Sequence, residues 1–311
     1  MRFSRTVADV MTLKNSIFLP PLTLLAAVAL LYGGFVGNPM VFDDLGLFVG
    51  GLLQRYADFE AGLSLRWLSM YSLGLLYRWF GTEVWAYRVA GIVLHAATAY
   101  ALYLFLAALW RIVDAKGEPD RLFLTIVALL FALHPVAVFG AAYLVQRSIV
   151  MATLFSLLCW WALLRGLDSG ARRWLALSVL FCLLALASKE HAVTAPAVCA
   201  LLCLYQARTR GVPSRRLMAA LAAAFAAYAW IAWWSISRGA VFIASAYEPV
   251  AGDALSRVSG EMGGPGLYGW SVLNQISHYF HYLGLWVVPN PLAMSVDMRL
   301  PFMTELSPGV W

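Results

Sequence analysis

Charge is scarce in this sequence. Only 12% of its 311 residues are Asp, Glu, Lys or Arg, while 62% are hydrophobic. Soluble domains carry about a quarter charged residues, so a water-borne globular domain is excluded. Cysteine is scarce too. The four present, Cys159, Cys182, Cys199 and Cys203, all lie inside apolar runs. With no CxxC and no HExxH, neither a disulfide frame nor a zinc site is indicated. Strict apolar–polar alternation is absent, which argues against a membrane β-barrel. No small-x-small cleavage site closes the first apolar segment, so that segment reads as a retained span.

What remains is a series of long apolar runs. A hydrocarbon layer of ~30 Å takes roughly 20 helical residues to cross. Runs at 17–37, 85–112, 122–143, 148–166, 174–188, 192–207 and 217–237 read as spans, and 271–289 is an eighth candidate. The fold class expected is an all-α polytopic bundle of seven to eight spans, forming a single domain over 1–311. A first polar loop covers 38–84, with amphipathic pieces at 64–80, and a second covers 238–270. The thirteen Trp and fourteen Tyr read mostly as interfacial belt and packing.

Basic residues alternate loop by loop. With the N-terminus in the cytoplasm, thirteen of the 22 Lys and Arg fall inside, and the outer loops keep a small acidic excess. The inner groups, such as Arg111, Lys116, Arg121 and Arg165, read as membrane anchors. Four polar clusters then share the outer face: "FDD" (42–44), "LSLRW" (63–67), "HPVAVFGAAYLVQR" (134–147) and "SKEH" (188–191).

Each cluster has a plain reading and a chemical one. Asp43 and Asp44 either solvate a loop or, held against apolar neighbours, act as a base or hold a cation. His134 before Pro135 reads as a helix stop with a polar cap. Gln146 and Arg147 open a span. A cation at a helix start opposes the helix dipole, so an anion is expected beside Arg147, either Glu190 or a bound phosphate. Lys189 and Glu190 sit between two apolar runs, where ionisable groups are costly and mark function; an ion pair that fixes packing is the alternative. Arg66 and Arg88 flank 64–80 and can snorkel to head groups, the simpler role for Arg88. His95 reads as a packing histidine, and His278 with His281 as one polar helix face. Two acids with Arg66, Arg147 and Lys189 at one face can hold a phosphate and take a proton from a hydroxyl. That is the chemistry of group transfer from a lipid-linked phosphate donor.

Several stretches carry a resemblance. "FVGNPMVFDDLGLF", "LRWLSMYSLGLLYRWFGTEVWAYRVAGIVLHAATAYALYLFL", "LHPVAVFGAAYLVQRSIVMATLFSLL", "LLALASKEHAVTAPAVCALL" and "HYFHYLGLWVVPNPLAMSVDMRLP" follow in order along nearly all of the chain. Together they resemble the polytopic GT-C glycosyltransferases of bacteria, pilin glycosyltransferases and the membrane half of tetratricopeptide-linked O-mannosyltransferase-like proteins in particular. The resemblance implies an enzyme of the bacterial inner membrane that uses a polyprenyl-phosphate-linked sugar on the periplasmic side. The acceptor would be a hydroxyl of a pilin or another exported protein, and the anomeric centre would invert. It implies Asp44 or Asp43 as catalytic base, with a slight preference for Asp44, and Arg147 and Lys189 at the donor phosphate, where the charge pattern of the outer face adds Arg66. His134, Gln146 and Glu190 would support them. No cofactor is required, though a divalent metal on the acids is compatible. The Val-Ala-Val after His134-Pro135 departs from the more polar pattern of that group. Ser307-Pro308 announces a helix that does not follow, so a short form or missing C-terminal spans are expected. The rival expectations are an O-antigen or lipid A glycan transferase or ligase, a lipid-linked sugar transporter, and a non-catalytic membrane subunit.

Overall fold

The computed structural model describes residues 19–63, 66–114, 117–211, parts of 218–237, and 264–294. The basic N-terminal start, Lys116, loop residues 238–263 and the Ser307-Pro308 ending lie outside the described residues. By its internal contacts the chain forms two units, Met1–Ile236 and Ser237–Trp311.

Among the described residues every regular element is helical. The first unit contains α1 (Leu19–Tyr32), the short α2 (Asp44–Phe48) and α3 (Leu52–Ala57), α4 (Trp67–Phe80) and α5 (Val84–Val113). It continues with α6 (Arg121–Ala132), the short α7 (Val138–Ala142), α8 (Arg147–Ser169), α9 (Arg172–Ser188) and α10 (Ala195–Arg210). The second unit contains α11 (Gly264–Val287), which begins inside the stretch expected to be loop up to 270.

Helix ends follow local chemistry. The Asp120 carboxylate accepts the N–H groups of Leu122 and Phe123 at 2.9 and 3.3 Å and starts α6. Gly170, at φ +66°, stops α8 with a left-handed turn that glycine adopts at little cost. Pro135 forces His134 into extended backbone, ψ 133°.

That last break bends one expected span. The run 122–143 is not one straight helix. It bends by 59° between Arg121–Ala132 and Pro135–Ala142. Among the described residues two helices, Val84–Val113 and Leu144–Ser169, are long and apolar enough to cross a membrane alone, and the count is three when the bent pair is taken as one span. α1, α9 and α10 have 14, 17 and 16 residues. Among the described residues, then, two to three spans are visible as long apolar helices, against the seven to eight expected. Large apolar side chains such as Leu30, Val93, Leu130 and Leu201 point outward, as lipid-facing helices require.

Three larger apolar clusters and one small one hold the first unit. One packs α5, α8, α9 and α10 around Cys159, Leu163, Cys182, Leu186, Cys199 and Leu202. The four cysteines are buried free thiols within it, with the Cys159 and Cys199 sulfurs 3.7 Å apart. A second joins α1, α5 and α6 through Leu24, Val28, Ala96, Ala99 and Ala128. There His95 bonds the Ala132 carbonyl at 2.9 Å and meets Tyr32 edge-on, as a packing histidine should.

The third cluster positions the site. Leu47, Leu53, Leu73, Tyr87 and Leu144 bind the short helices to the start of α5. Phe48 meets Tyr87 edge-on at 5.2 Å. Two glycines permit the close approaches. A Cβ on Gly74 would fall 2.6–2.8 Å from Tyr56 and Ala57, and one on Gly91 would fall 2.7 Å from the Ala141 carbonyl oxygen. So α4 lies on α3, and α5 lies on α7, at backbone contact.

Candidate active site at one end of the bundle

The two acids of "FDD" have opposite environments. Asp44 is fully buried. Its carboxylate accepts the Leu144 N–H at 3.2 Å and the Val145 N–H at 3.0 Å. Burial pushes its pKa above the ordinary carboxylate range. The two N–H bonds and the nearby Arg88 charge pull in the other direction without cancelling it. Asp43, one residue earlier, is exposed. Its N–H donates to the Tyr143 hydroxyl at 3.2 Å, and that hydroxyl also stands in hydrogen-bonding relation to the Asp43 side chain. A short helix starting at Asp44 thus turns one acid inward and leaves the other facing out.

Arg88 does not snorkel. It is buried, and it donates to the Ala142 carbonyl at 2.7 Å and the Pro39 carbonyl at 2.8 Å. It therefore ties the first loop to the corner before α8, on both sides of Asp44. Sequence reasoning missed Arg88 and Tyr143. The available signals were a cation one turn inside a long apolar run, and a tyrosine four residues ahead of Arg147.

Arg147 begins α8 with no acid in ion-pair distance among the described residues. The two ion pairs among the described residues are Arg66–Glu190 and Arg210–Asp168. The Nε of Arg147 is buried and has no hydrogen-bond partner among the described residues, although a buried donor left unpaired costs about 1–3 kcal/mol. The electrostatic neighbour it does have is the buried Tyr87. Glu190, the acid expected there, is occupied elsewhere.

Glu190 is held by Arg66. The Arg66 Nε donates to Glu190 Oε2 at 2.9 Å, and Nη2 donates to Oε1. This fork holds the Glu190 carboxyl down at about 2. Arg66 itself stands in left-handed backbone, φ +62°. Its carbonyl accepts from Ser69 Oγ at 2.8 Å, and the same hydroxyl approaches the Ser188 carbonyl at 3.3 Å. Arg66, expected at a donor phosphate, thus has its guanidinium engaged by protein. Lys189, between Ser188 and Glu190, has no carboxylate within ion-pair distance among the described residues. Burial first, then the Arg66 charge, lowers its pKa, and Glu190 opposes them.

Small residues bring this corner to α8. Ala152, Ala185 and Ala192 form a tight buried contact, one turn along from Arg147. Ser72 Oγ also reaches Met151 Sδ at 3.5 Å, linking α4 to the same turn. A chain of contacts therefore runs from Asp44 through Val145 and the start of α8 to Ser72, Ser69 and Lys189. Asp43, Arg147 and Lys189 belong to one end of the bundle.

The remaining expected residues take plainer places. His134 Nδ1 accepts the Val136 N–H at 3.2 Å, so it caps the turn after the break. Gln146 precedes α8, and its N–H bonds the Tyr143 carbonyl at 3.1 Å. His278 bonds the Asn274 carbonyl on its own helix. No cluster of three or more His, Cys, Asp or Glu suited to a metal occurs among the described residues.

Comparison of the chain with protein-family models, with curated proteins and with solved structures finds no match.

Proposed function

We propose that the chain is a GT-C-like membrane glycosyltransferase that moves a sugar from a polyprenyl phosphate to an acceptor hydroxyl at the periplasmic face. The observation that carries this reading is the Arg147 guanidinium, whose buried Nε has no hydrogen-bond partner among the described residues, two positions past the Val145 N–H that the Asp44 carboxylate accepts. A half-buried cation with no carboxylate in ion-pair distance is a seat for an anion, and the head group of a lipid-linked donor supplies a phosphate at membrane depth. Lys189 is the second cation at that end.

In the reaction, the acceptor oxygen attacks the anomeric carbon and its proton passes to the Asp43 carboxylate. The bond from the anomeric carbon to the phosphate oxygen breaks, and its electron pair stays on polyprenyl phosphate. Arg147 and Lys189 stabilise that developing charge, and the anomeric centre inverts. The preference moves from Asp44 to Asp43 as base. Both oxygens of Asp44 are occupied by backbone N–H groups, whereas Asp43 is reachable by an acceptor. Asp44 and Arg88 hold the loop in place, and Arg66 with Glu190 holds Lys189. Seven to eight spans, a cytoplasmic N-terminus and a Ser or Thr of a pilin or other exported protein as acceptor complete the reading.

Intact masses of envelope proteins from the native host test it. Asp43→Asn should remove a sugar-sized mass from one or more exported proteins while the membrane level of the chain is unchanged. Unchanged masses with altered lipopolysaccharide would move the acceptor to a glycan, as for an O-antigen or lipid A transferase. No change in either would overturn the transferase reading and leave a transporter or a non-catalytic subunit.

A further inference from the structure

The first loop is polar in sequence, yet the corner where α4 passes into α5 is not. α4 turns Ser69, Leu73 and Gly74 inward, with Leu73 in the third apolar cluster and Gly74 on α3. Its opposite side carries Leu75 and Trp79, four residues apart and so on one face. Trp79 is 66% exposed.

The exposed apolar line does not end with α4. The helix stops at Gly81, φ +57°, and α5 begins at Val84. Across that turn the rings of Phe80 and Trp85 meet edge-on at 5.4 Å. From Trp85 the line runs on along α5 through Val89 and Val93, again in steps of four. α5 is long and apolar enough to cross a membrane, and its outward Val89 and Val93 are the side chains such a span turns to lipid. The aromatic corner is continuous with that lipid-facing line.

Charges bracket the corner. Arg78 is exposed and donates to the Ala57 carbonyl at 3.3 Å, and the exposed Glu83 stands one residue before α5. Aromatic rings at head-group level, beside charged groups that reach water, match a lipid surface. Water alone would leave three adjoining large rings uncovered. We propose that this corner is a membrane anchor: Trp79, Phe80 and Trp85 enter the head-group region of the leaflet that borders this end of α5. The anchor is tied to the candidate site. The Tyr87 hydroxyl donates to the Gly81 carbonyl at 2.6 Å, and Tyr87 is the buried electrostatic neighbour of Arg147. The depth of the rings thus sets the depth of Arg147 in the membrane. The lipid contact itself does not depend on the transfer chemistry.

Fluorine NMR of the full chain in lipid nanodiscs, with fluorotryptophan at its thirteen Trp positions, tests it. Trp79→Phe and Trp85→Phe each remove one resonance and so assign the two. Both side chains are exposed, so neither change empties the core. Each assigned resonance should lose more intensity to a lipid carrying a nitroxide near the top of its acyl chain than to a water-soluble gadolinium chelate. Equal losses, or a greater loss to the chelate, would place the corner in water and overturn the anchor. No loss to either would mean that protein, a second copy or another partner, covers the rings, and would overturn it too.

Discussion

The Asp44 carboxylate takes the backbone N–H groups of Leu144 and Val145, at 3.2 and 3.0 Å, across a hundred residues of sequence. This contact fixes where the first loop meets the start of α8, and so where Asp43 stands relative to Arg147. An amide in place of the carboxylate would turn a donor toward one of those N–H groups. Asp44→Asn should therefore destabilise the chain by about 1–3 kcal/mol, visible as a lower unfolding temperature in detergent. Asp43→Asn should leave that temperature unchanged. Equal stability of the two variants would contradict the division of roles.

Gly91 gives a second handle on the same loop. A methyl there would meet the Ala141 carbonyl oxygen at 2.7 Å, and that oxygen belongs to backbone just ahead of the Tyr143–Val145 corner. Gly91→Ala should cost about 1–3 kcal/mol by overpacking and should lower transfer activity with it. Gly284→Ala, where the added carbon meets nothing within 4 Å among the described residues, is the matched control and should do neither.

The Arg66–Glu190 fork predicts an acid limb. The Glu190 carboxyl is held at about 2, chiefly by its hydrogen bonds to Arg66, against an ordinary value of 4.5. A depressed carboxylate contributes stability above its unfolded value and loses it as the pH falls toward the folded one. Stability should thus decline as pH drops from about 4.5 toward 2. Solvent around Arg66 screens the pair and keeps the effect modest. Thermal unfolding at about pH 5 and about pH 3 checks this, since Glu190→Gln should narrow the difference between the two temperatures.

Lys189 predicts an alkaline limb in function. Burial and the Arg66 charge hold its ammonium below the ordinary lysine value of 10.5. Only the protonated form can hold a phosphate. KM for a polyprenyl-phosphate sugar should therefore rise as the pH climbs through this lowered value, with kcat less affected. Arginine stays charged throughout, so Lys189→Arg should flatten the rise. The same pH dependence of KM in both proteins would remove Lys189 from the donor site.

Some of this was legible in the sequence. The run 85–112 is bounded by Glu83 and Asp114, and the helix is Val84–Val113, because an apolar run between charges leaves few alternatives. The break at His134-Pro135 was also written there, yet the run 122–143 reads as continuous when hydropathy is averaged across the proline. Partners were harder. Arg88 reads locally as a snorkelling cation, but its acceptors at Pro39 and Ala142 are about fifty residues away in either direction. Glu190 lies 124 residues from Arg66, with Lys189 adjacent and Arg147 nearer in sequence. The inward turn of Asp44 rather than Asp43 depends on the register of a five-residue helix, which no periodicity can set in so short an element.

The most direct test of the central claim is release of polyprenyl phosphate from a labelled polyprenyl-phosphate sugar by the purified full chain, with an envelope extract as acceptor. Asp43→Asn is compared with the parent protein at equal unfolding temperature. The account predicts that the variant loses about 10²–10⁴-fold in rate while its KM for the donor changes little. A variant that released polyprenyl phosphate at the parent's rate would contradict Asp43 as the base and, with it, the proposed reaction.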